Sequence, residues 1–222
     1  MSNRNSNTEV SQSNTIVQME KKIEDLSVQS AQASEIALST ILKAVNSKDN
    51  YSLAHAQRVC DFSLMIGEEL GLSQIELSKL RLTAMYHDIG KIEIPEYILT
   101  KPSRLNEEEY FIIRKHPLLS SQILKNFDQL KDLAEFVKHH HERFDGKGYP
   151  NGLSGESIPL FSRILFIADS FDTMTSSRIY QKGLSFDVAL HSLIKGSGTQ
   201  FDPELVQYFV KRFKEEQHQT AA

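Results

Sequence analysis

Tyr86-His87-Asp88-Ile89-Gly90-Lys91 places an imidazole and a carboxylate side by side at the end of an apolar helical pattern. Leu77, Leu80, Ala84 and His87 follow at steps of 3, 4 and 3, the spacing of one buried helix face. Asp88 is the next residue and leans inward from that face. Gly90 reads as the helix-ending residue, since glycine adopts the left-handed conformation at little cost. Lys91 sits just past the stop. A charged pair aimed at a core is costly unless something compensates it. Two compensations suit the chemistry: a divalent metal, for which both groups are good ligands, or a metal-free buried His-Asp hydrogen bond.

Around this stretch lies a chain of 222 residues, enough for one or two domains and a substantial core. With 40% hydrophobic and 24% charged residues, it has the composition of a soluble globular protein. No apolar run approaches the ~18 residues needed to cross a membrane. The polar start, Met1 to Asn7, lacks the apolar segment of a signal peptide, so the expected location is the cytoplasm. A single cysteine, Cys60, excludes an internal disulfide and a cysteine-based metal site. The net charge of −4 provides no global basic field, so polymeric nucleic acid is not an expected partner.

Upstream, residues 1–14 are almost free of apolar side chains and are expected to be a disordered tip. Residues 15–45 read as a weakly amphipathic lead-in helix or linker; Met19, Ile23, Leu26, Ser30, Ala33 and Ala37 recur at steps of 3 and 4, but half of that face is small or polar. Dimerisation through it is the second reading, because heptads of large apolar residues are lacking. Asn46 to Asn50 form a polar break. The next helix, from about Ser52 to Leu70, carries His55, Val59, Phe62 and Ile66 on one face. Ser73 and Glu76 have capping-box spacing and start the helix that ends in His87 and Asp88; Asn106 and Glu109 repeat that signature.

Downstream, the Asn106 helix is expected to end near His116-Pro117, and another to cover Leu118 to Asn126. Leu130 to Glu142 reads as a helix whose apolar face (Leu133, Phe136, Val137) is extended by His140 and His141; spacing alone does not exclude His139. Residues 143–152, rich in Gly and Pro with Asp-Gly and Asn-Gly steps, form an irregular loop. Arg143, Lys147 and Tyr149 within it are either ligand contacts or ordinary solvent-facing residues. Ser162 to Ser176 is apolar all round and therefore buried, yet holds Asp169, which needs a partner its neighbours do not supply. Arg178, Tyr180 and Lys182 follow, where cations can meet a ligand phosphate. The last helix runs from Pro203 to about Phe213, and residues 215–222 are expected to fray.

No segment alternates like a strand, so the fold class is all-α: one helical domain over 46–214. His55, His87, Asp88, His116, His140, His141 and Asp169 each fall on or beside an inward face of five helices. Imidazoles and carboxylates without thiolates suit Fe, Mn, Ni, Co or Zn. They outnumber the ligands of one tetrahedral ion. Two ions bridged by a carboxylate would use them, in a geometry suited to phosphoryl displacement.

His87-Asp88-Ile89-Gly90-Lys91, followed by His140-His141-Glu142-Arg143-Phe144-Asp145-Gly146-Lys147-Gly148-Tyr149-Pro150, resembles the HD-GYP domain. This is the subgroup of HD-domain phosphohydrolases that degrade the bacterial second messenger cyclic di-GMP. The likeness continues through His116-Pro117, Ile158-Pro159, Ala168-Asp169, Asp172, Arg178 and Phe201-Asp202-Pro203, covering roughly 170 residues. The resemblance implies an HD-type helical bundle and cyclic di-GMP hydrolysis by a metal-bridging hydroxide, to the linear dinucleotide and/or GMP. It implies His87, Asp88, His116, His140, His141 and Asp169 as metal ligands, with Asp88 the bridge. Lys91 is implied as a catalytic and phosphate contact, and Arg178, Lys182 and Tyr149 as substrate contacts. Two divalent ions, Fe or Mn first among them, are the implied cofactors. Implied partners are diguanylate cyclase (GGDEF) proteins meeting the GYP loop, and a second copy in a homodimer.

Three positions depart from the family pattern. Tyr51 stands where three-metal members carry a glutamate, so two ions are expected, with His55 either a ligand or a hydrogen-bond donor behind one. Ser120 replaces a glycine common after His116-Pro117, and Gln181 a common cation. The competing functions are a non-catalytic cyclic di-GMP sensor and an HD hydrolase of another nucleotide.

Overall fold

A computed structural model describes residues 3–48, 52–177 and 182–220. Among them lie ten α-helices, with no strand beyond an isolated bridge between Ser197 and Phe201. The chain divides into two compact units, Met1–Thr40 and Ile41–Ala222. Tyr51, Arg178, Tyr180 and Gln181 lie outside the described residues.

Most of the first unit is helix α1 (Asn3–Lys48), which runs unbroken through the segment expected to be a disordered tip. Residues 1–48 contain no Gly or Pro, so nothing in them interrupts the backbone ladder. Met19, Ile23 and Leu26 are exposed.

The second unit is built around α8 (Leu160–Thr175), whose Ile164, Leu165, Ile167, Ala168 and Phe171 are wholly buried. Each such large side chain contributes roughly 1.5–3 kcal/mol. Around it pack α2 (Ser52–Glu69), α3 (Gln74–Tyr86), α9 (Phe186–Gly196) and α10 (Pro203–Thr220). The Phe62 and Phe171 rings meet edge-on at 5.1 Å, and both lie against Phe209 and Phe213. The predicted α2 face is present, with His55, Val59 and Ile66 buried and Phe62 packed on the core. α10 continues to Thr220, past the expected end at Phe213.

Both expected capping boxes form. The Ser73 N–H donates to Glu76 Oε2 at 2.8 Å at the start of α3, and the Asn106 N–H to Glu109 Oε2 at 2.9 Å at the start of α5 (Glu107–Ile113). Such a cap stabilises a helix by about 1 kcal/mol.

Three local expectations are corrected, and each correction shapes the site. First, α5 stops at Ile113 and a new helix, α6 (His116–Leu124), starts at His116 itself. Pro117 lacks an N–H and is tolerated only in a first turn, so the helix restarts just ahead of it. Second, α7 spans only Ala134–Lys138, after a short 3-10 turn at Lys131–Leu133. His140 and His141 therefore sit in a turn, where adjacent side chains can converge as they could not one hundred degrees apart on a helix. Third, Gly90 does not end a helix. α3 stops at Tyr86, and Gly90 lies within a 3-10 turn, Ile89–Glu93, without a positive φ.

The reason for glycine there is close approach. A Cβ on Gly90 would stand 2.4 Å from both the His116 carbonyl oxygen and the Ser120 nitrogen, while the Gly90 N–H donates to Ser120 Oγ at 2.8 Å. Ser120, the departure from the family pattern, thus satisfies a buried donor. Gly90→Ala should force this turn off α6 and cost about 1–3 kcal/mol in chemical denaturation. An unchanged unfolding midpoint would refute the packing argument.

Candidate metal centre

Seven side chains named from the sequence converge between α2, α3, α6, α8 and the turn after α7. Among the described residues, three sets hold ligand atoms all within 4.8 Å of one another: His55, His87 and Asp169; His116, His140 and His141; and His87, Asp88 and His140. Asp88 lies between the first two. Its Oδ1 is 3.1 Å from His116 Nε2, and its Oδ2 is 3.3 Å from His87 Nε2 and 3.8 Å from His55 Nε2. His55 Nε2 is also 3.3 Å from Asp169 Oδ1.

The backbone sets which ring nitrogen faces inward. Nδ1 of His87, His116 and His140 donates to the carbonyl three residues back, on Ala84, Ile113 and Val137, at 2.6, 2.7 and 2.6 Å. Those three residues end or follow a helix, where carbonyls are left unpaired. His55 is anchored differently: its Nδ1 donates to Asp172 Oδ2 at 2.7 Å. All four rings then present Nε2 to the shared interior, and a hydrogen bond behind the ring raises ligand basicity.

Two observations test the fit to a cation. His87 Nε2 is buried with no hydrogen-bond partner. His116 Nε2 and His140 Nε2 face each other at 3.4 Å, although both Nδ1 atoms already donate elsewhere. Two imidazole lone pairs pointed together repel unless a positive charge stands between them. Burial, reinforced by neighbouring histidines, holds the His140 and His141 pKa values well below the usual range, so both rings are neutral and ready to ligate. Burial also opposes ionisation of Asp88, but Lys91, His87 and His116 outweigh it and hold its carboxyl well below the usual range. At His87 burial lowers the pKa, while Asp88 overrides it and the net shift is upward. The donor set therefore fits divalent metal.

Lys91 Nζ lies 2.7 Å from Asp88 Oδ2, a fixed positive charge at the edge of the cluster. Tyr149 belongs to the loop that folds over the histidine turn, its ring stacked on His141 at 4.9 Å and 28°. Gly148 makes this possible, because a Cβ there would come within 2.2 Å of the Arg143 nitrogen. Buried Glu142 clamps the loop by accepting from the Asn151 and Leu153 N–H groups at 2.7 and 3.1 Å. Arg143 is turned to Asp145, which it grips with two hydrogen bonds at 3.0 and 2.8 Å, and so braces the loop. Lys147 and Lys182 are exposed. His139 points away from the cluster, toward Glu135 and Glu142.

Sequence reasoning missed the supports. Asp172 is wholly buried and also accepts two hydrogen bonds from Arg58, whose Nη2 donates to Ser176 Oγ at 2.9 Å. The sequence marks Asp172 only as part of the family likeness, without a role; the spacing of His55 with Arg58 and of Asp169 with Asp172, one helical turn in each case, is the further signal. Arg114, over the Tyr149 ring at 4.4 Å, left no signal beyond its place two residues before His116.

The HD domain family pattern matches residues 39–205. The chain belongs to the HD domain family. Within it, the His140-to-Pro150 run marks the HD-GYP branch. Over 176 residues this HD domain is 36% identical to the cyclic di-GMP phosphodiesterase response regulator RpfG of Xanthomonas campestris pv. campestris, covering 78% of this chain and 47% of that one. Over 162 residues it is 36% identical to the 3'3'-cGAMP-specific phosphodiesterase 3 of Vibrio cholerae, covering 73% and 35%. In fold it is similar to the crystal structure of a cyclic GMP-AMP-specific phosphodiesterase of V. cholerae, with a TM-score of 0.62 at 23% identity, covering 80% of this chain and 48% of that one. The chain spans less than half the length of these relatives.

Proposed function

We propose that this chain is a divalent-metal-dependent phosphodiesterase that hydrolyses cyclic di-GMP to the linear dinucleotide and/or GMP. The observation that carries the reading is the ring of Nε2 atoms around Asp88, an ionised carboxylate within reach of two separate ligand sets. His55, His87 and Asp169 would hold one ion, and His116, His140 and His141 the other, with Asp88 between them. Two such ions supply Lewis acidity toward a phosphoryl oxygen and lower the pKa of a water.

The chain's own groups do the rest. The Nδ1 hydrogen bonds keep His55, His87, His116 and His140 each in one tautomer and orientation. Lys91, at the rim, offsets charge on the reacting phosphate. Tyr149 covers His141 and borders the path a nucleotide would take. Arg178 and Lys182 are proposed as phosphate contacts. Fe and Mn suit the nitrogen and oxygen donors. With His55 anchored at Nδ1 by Asp172 and its Nε2 toward Asp169, we assign it as a ligand and the count as two ions. The exposed residues of the GYP loop, Lys147, Pro150 and Asn151, are the proposed docking point for a GGDEF protein. A homodimer and a cytoplasmic location are part of the same proposal; among the described residues no helix is long and apolar enough to cross a membrane.

The test is hydrolysis. Protein prepared without oxygen and loaded with Fe(II) or Mn(II) should convert cyclic di-GMP to linear dinucleotide or GMP, followed by chromatography. Tight binding without turnover in fully loaded protein would mark it instead as a sensor.

A further inference from the structure

A ladder of flat groups leads outward from the metal centre. His141 stacks on Tyr149, Arg114 Cζ stands 4.4 Å from the Tyr149 ring centroid and 5.6 Å from that of Tyr110, and Tyr110 is 51% exposed. Arg114 is the cation of this ladder, and among the described residues it has no carboxylate within ion-pair distance. That is unusual for an arginine in a partly buried place, because the cheapest partner of a guanidinium is a carboxylate. Its charge rests on ring faces instead, which leaves all of its outward N–H donors uncommitted to an anion of the protein.

We propose that Arg114, held on the Tyr149 ring, is the base-reading residue of this site and selects guanine over adenine for a base laid beside the exposed Tyr110. A guanidinium is weakly hydrated, stacks on aromatic rings and holds its N–H donors in a fixed fork. The O6 and N7 of guanine are two acceptors that match this fork; adenine presents a donor, its N6 amino group, where guanine has O6. A base against the exposed Tyr110 ring gains stacking whatever its identity. The fork then decides between the two purines. The position also suits the reaction. A dinucleotide with a phosphate at the metal centre carries its base outward past Tyr149, toward Arg114 and Tyr110.

The inference rests on the phosphodiesterase reading for its substrate class, and the experiment separates the two. Wild type, Arg114→Met and Arg114→Lys, each metal-loaded, are compared for kcat/KM on cyclic di-GMP and cyclic di-AMP, and for equilibrium binding of GMP and AMP by calorimetry. Arg114→Met should retain wild-type metal content. Its preference for guanine over adenine should fall about 5- to 150-fold, the value of one bidentate base contact, in both turnover and binding. Arg114→Lys, a point charge without a fork, should recover only part of that preference. Equal losses on both dinucleotides would mean a phosphate contact and would overturn the proposal, as would an unchanged ratio. Arg114-dependent preference for GMP in a protein that hydrolyses neither dinucleotide would sustain the inference and sink the catalytic reading.

Discussion

Asp88→Ala is expected to lower hydrolysis by on the order of 10³-fold or more and to drop metal content from two ions per chain to one or none. Among the described residues, Asp88 is the carboxylate that approaches both ligand sets, through Oδ1 toward His116 and through Oδ2 toward His87 and His55. Without it, each set keeps only its own neutral imidazoles, plus Asp169 on one side. The variant should stay folded, because Asp88 follows the end of α3 and caps no helix with its side chain. Lys91, which loses its contact with Asp88, is 16% exposed and reaches water. Circular dichroism should therefore match wild type while elemental analysis and turnover do not. Two ions per chain with activity within tenfold of wild type would refute the bridging role.

Removal of metal should also destabilise the fold. A ligand that binds only the native state adds about 4 kcal/mol at a free concentration ~1,000 times its Kd. For a domain of this size, ~1 kcal/mol moves Tm by roughly 2–4 °C, so each ion should be worth ~8–16 °C. In the metal-free protein His116 Nε2 and His140 Nε2 are left facing each other at 3.4 Å, and the ions relieve that cost. Thermal melts with and without chelator measure the difference, and Asp88→Ala should show a much smaller response. A shift below ~2 °C in fully loaded wild type would mean that the cluster does not couple metal to folding.

Several of these features were legible in the residues alone because their causes are local. Capping boxes at Ser73–Glu76 and Asn106–Glu109 involve groups three residues apart, and helical hydrogen bonding brings such groups together whatever surrounds them. The buried face of α2 and the all-round apolar α8 follow from periodicity, which states what must be hidden but not against what. The His140-to-Pro150 run is readable for a related reason. Its glycines and its two acidic residues serve contacts within a dozen positions, such as Glu142 with the Asn151 and Leu153 N–H groups and Asp145 with Arg143.

Local reading failed where a short-range rule had two causes. Gly90 fits a helix stop by pattern, yet its small size is demanded by His116 and by Ser120, the latter thirty residues away. His140 and His141 fit an extended helix face, yet converge because the helix ends before them.

By itself, the sequence determined an all-helical chain, the residue types of a nitrogen- and oxygen-donor metal site, and the family motif that carries them. The tertiary structure alone decided that His55 is oriented by Asp172, 117 residues later, that Asp88 stands between two ligand sets, that every anchored imidazole turns Nε2 inward, and that Arg114 rests on tyrosine rings. The physical reason is that periodicity specifies a face and capping specifies an end, whereas the choice of partner across helices depends on how buried surfaces pack. That packing has no period in the sequence.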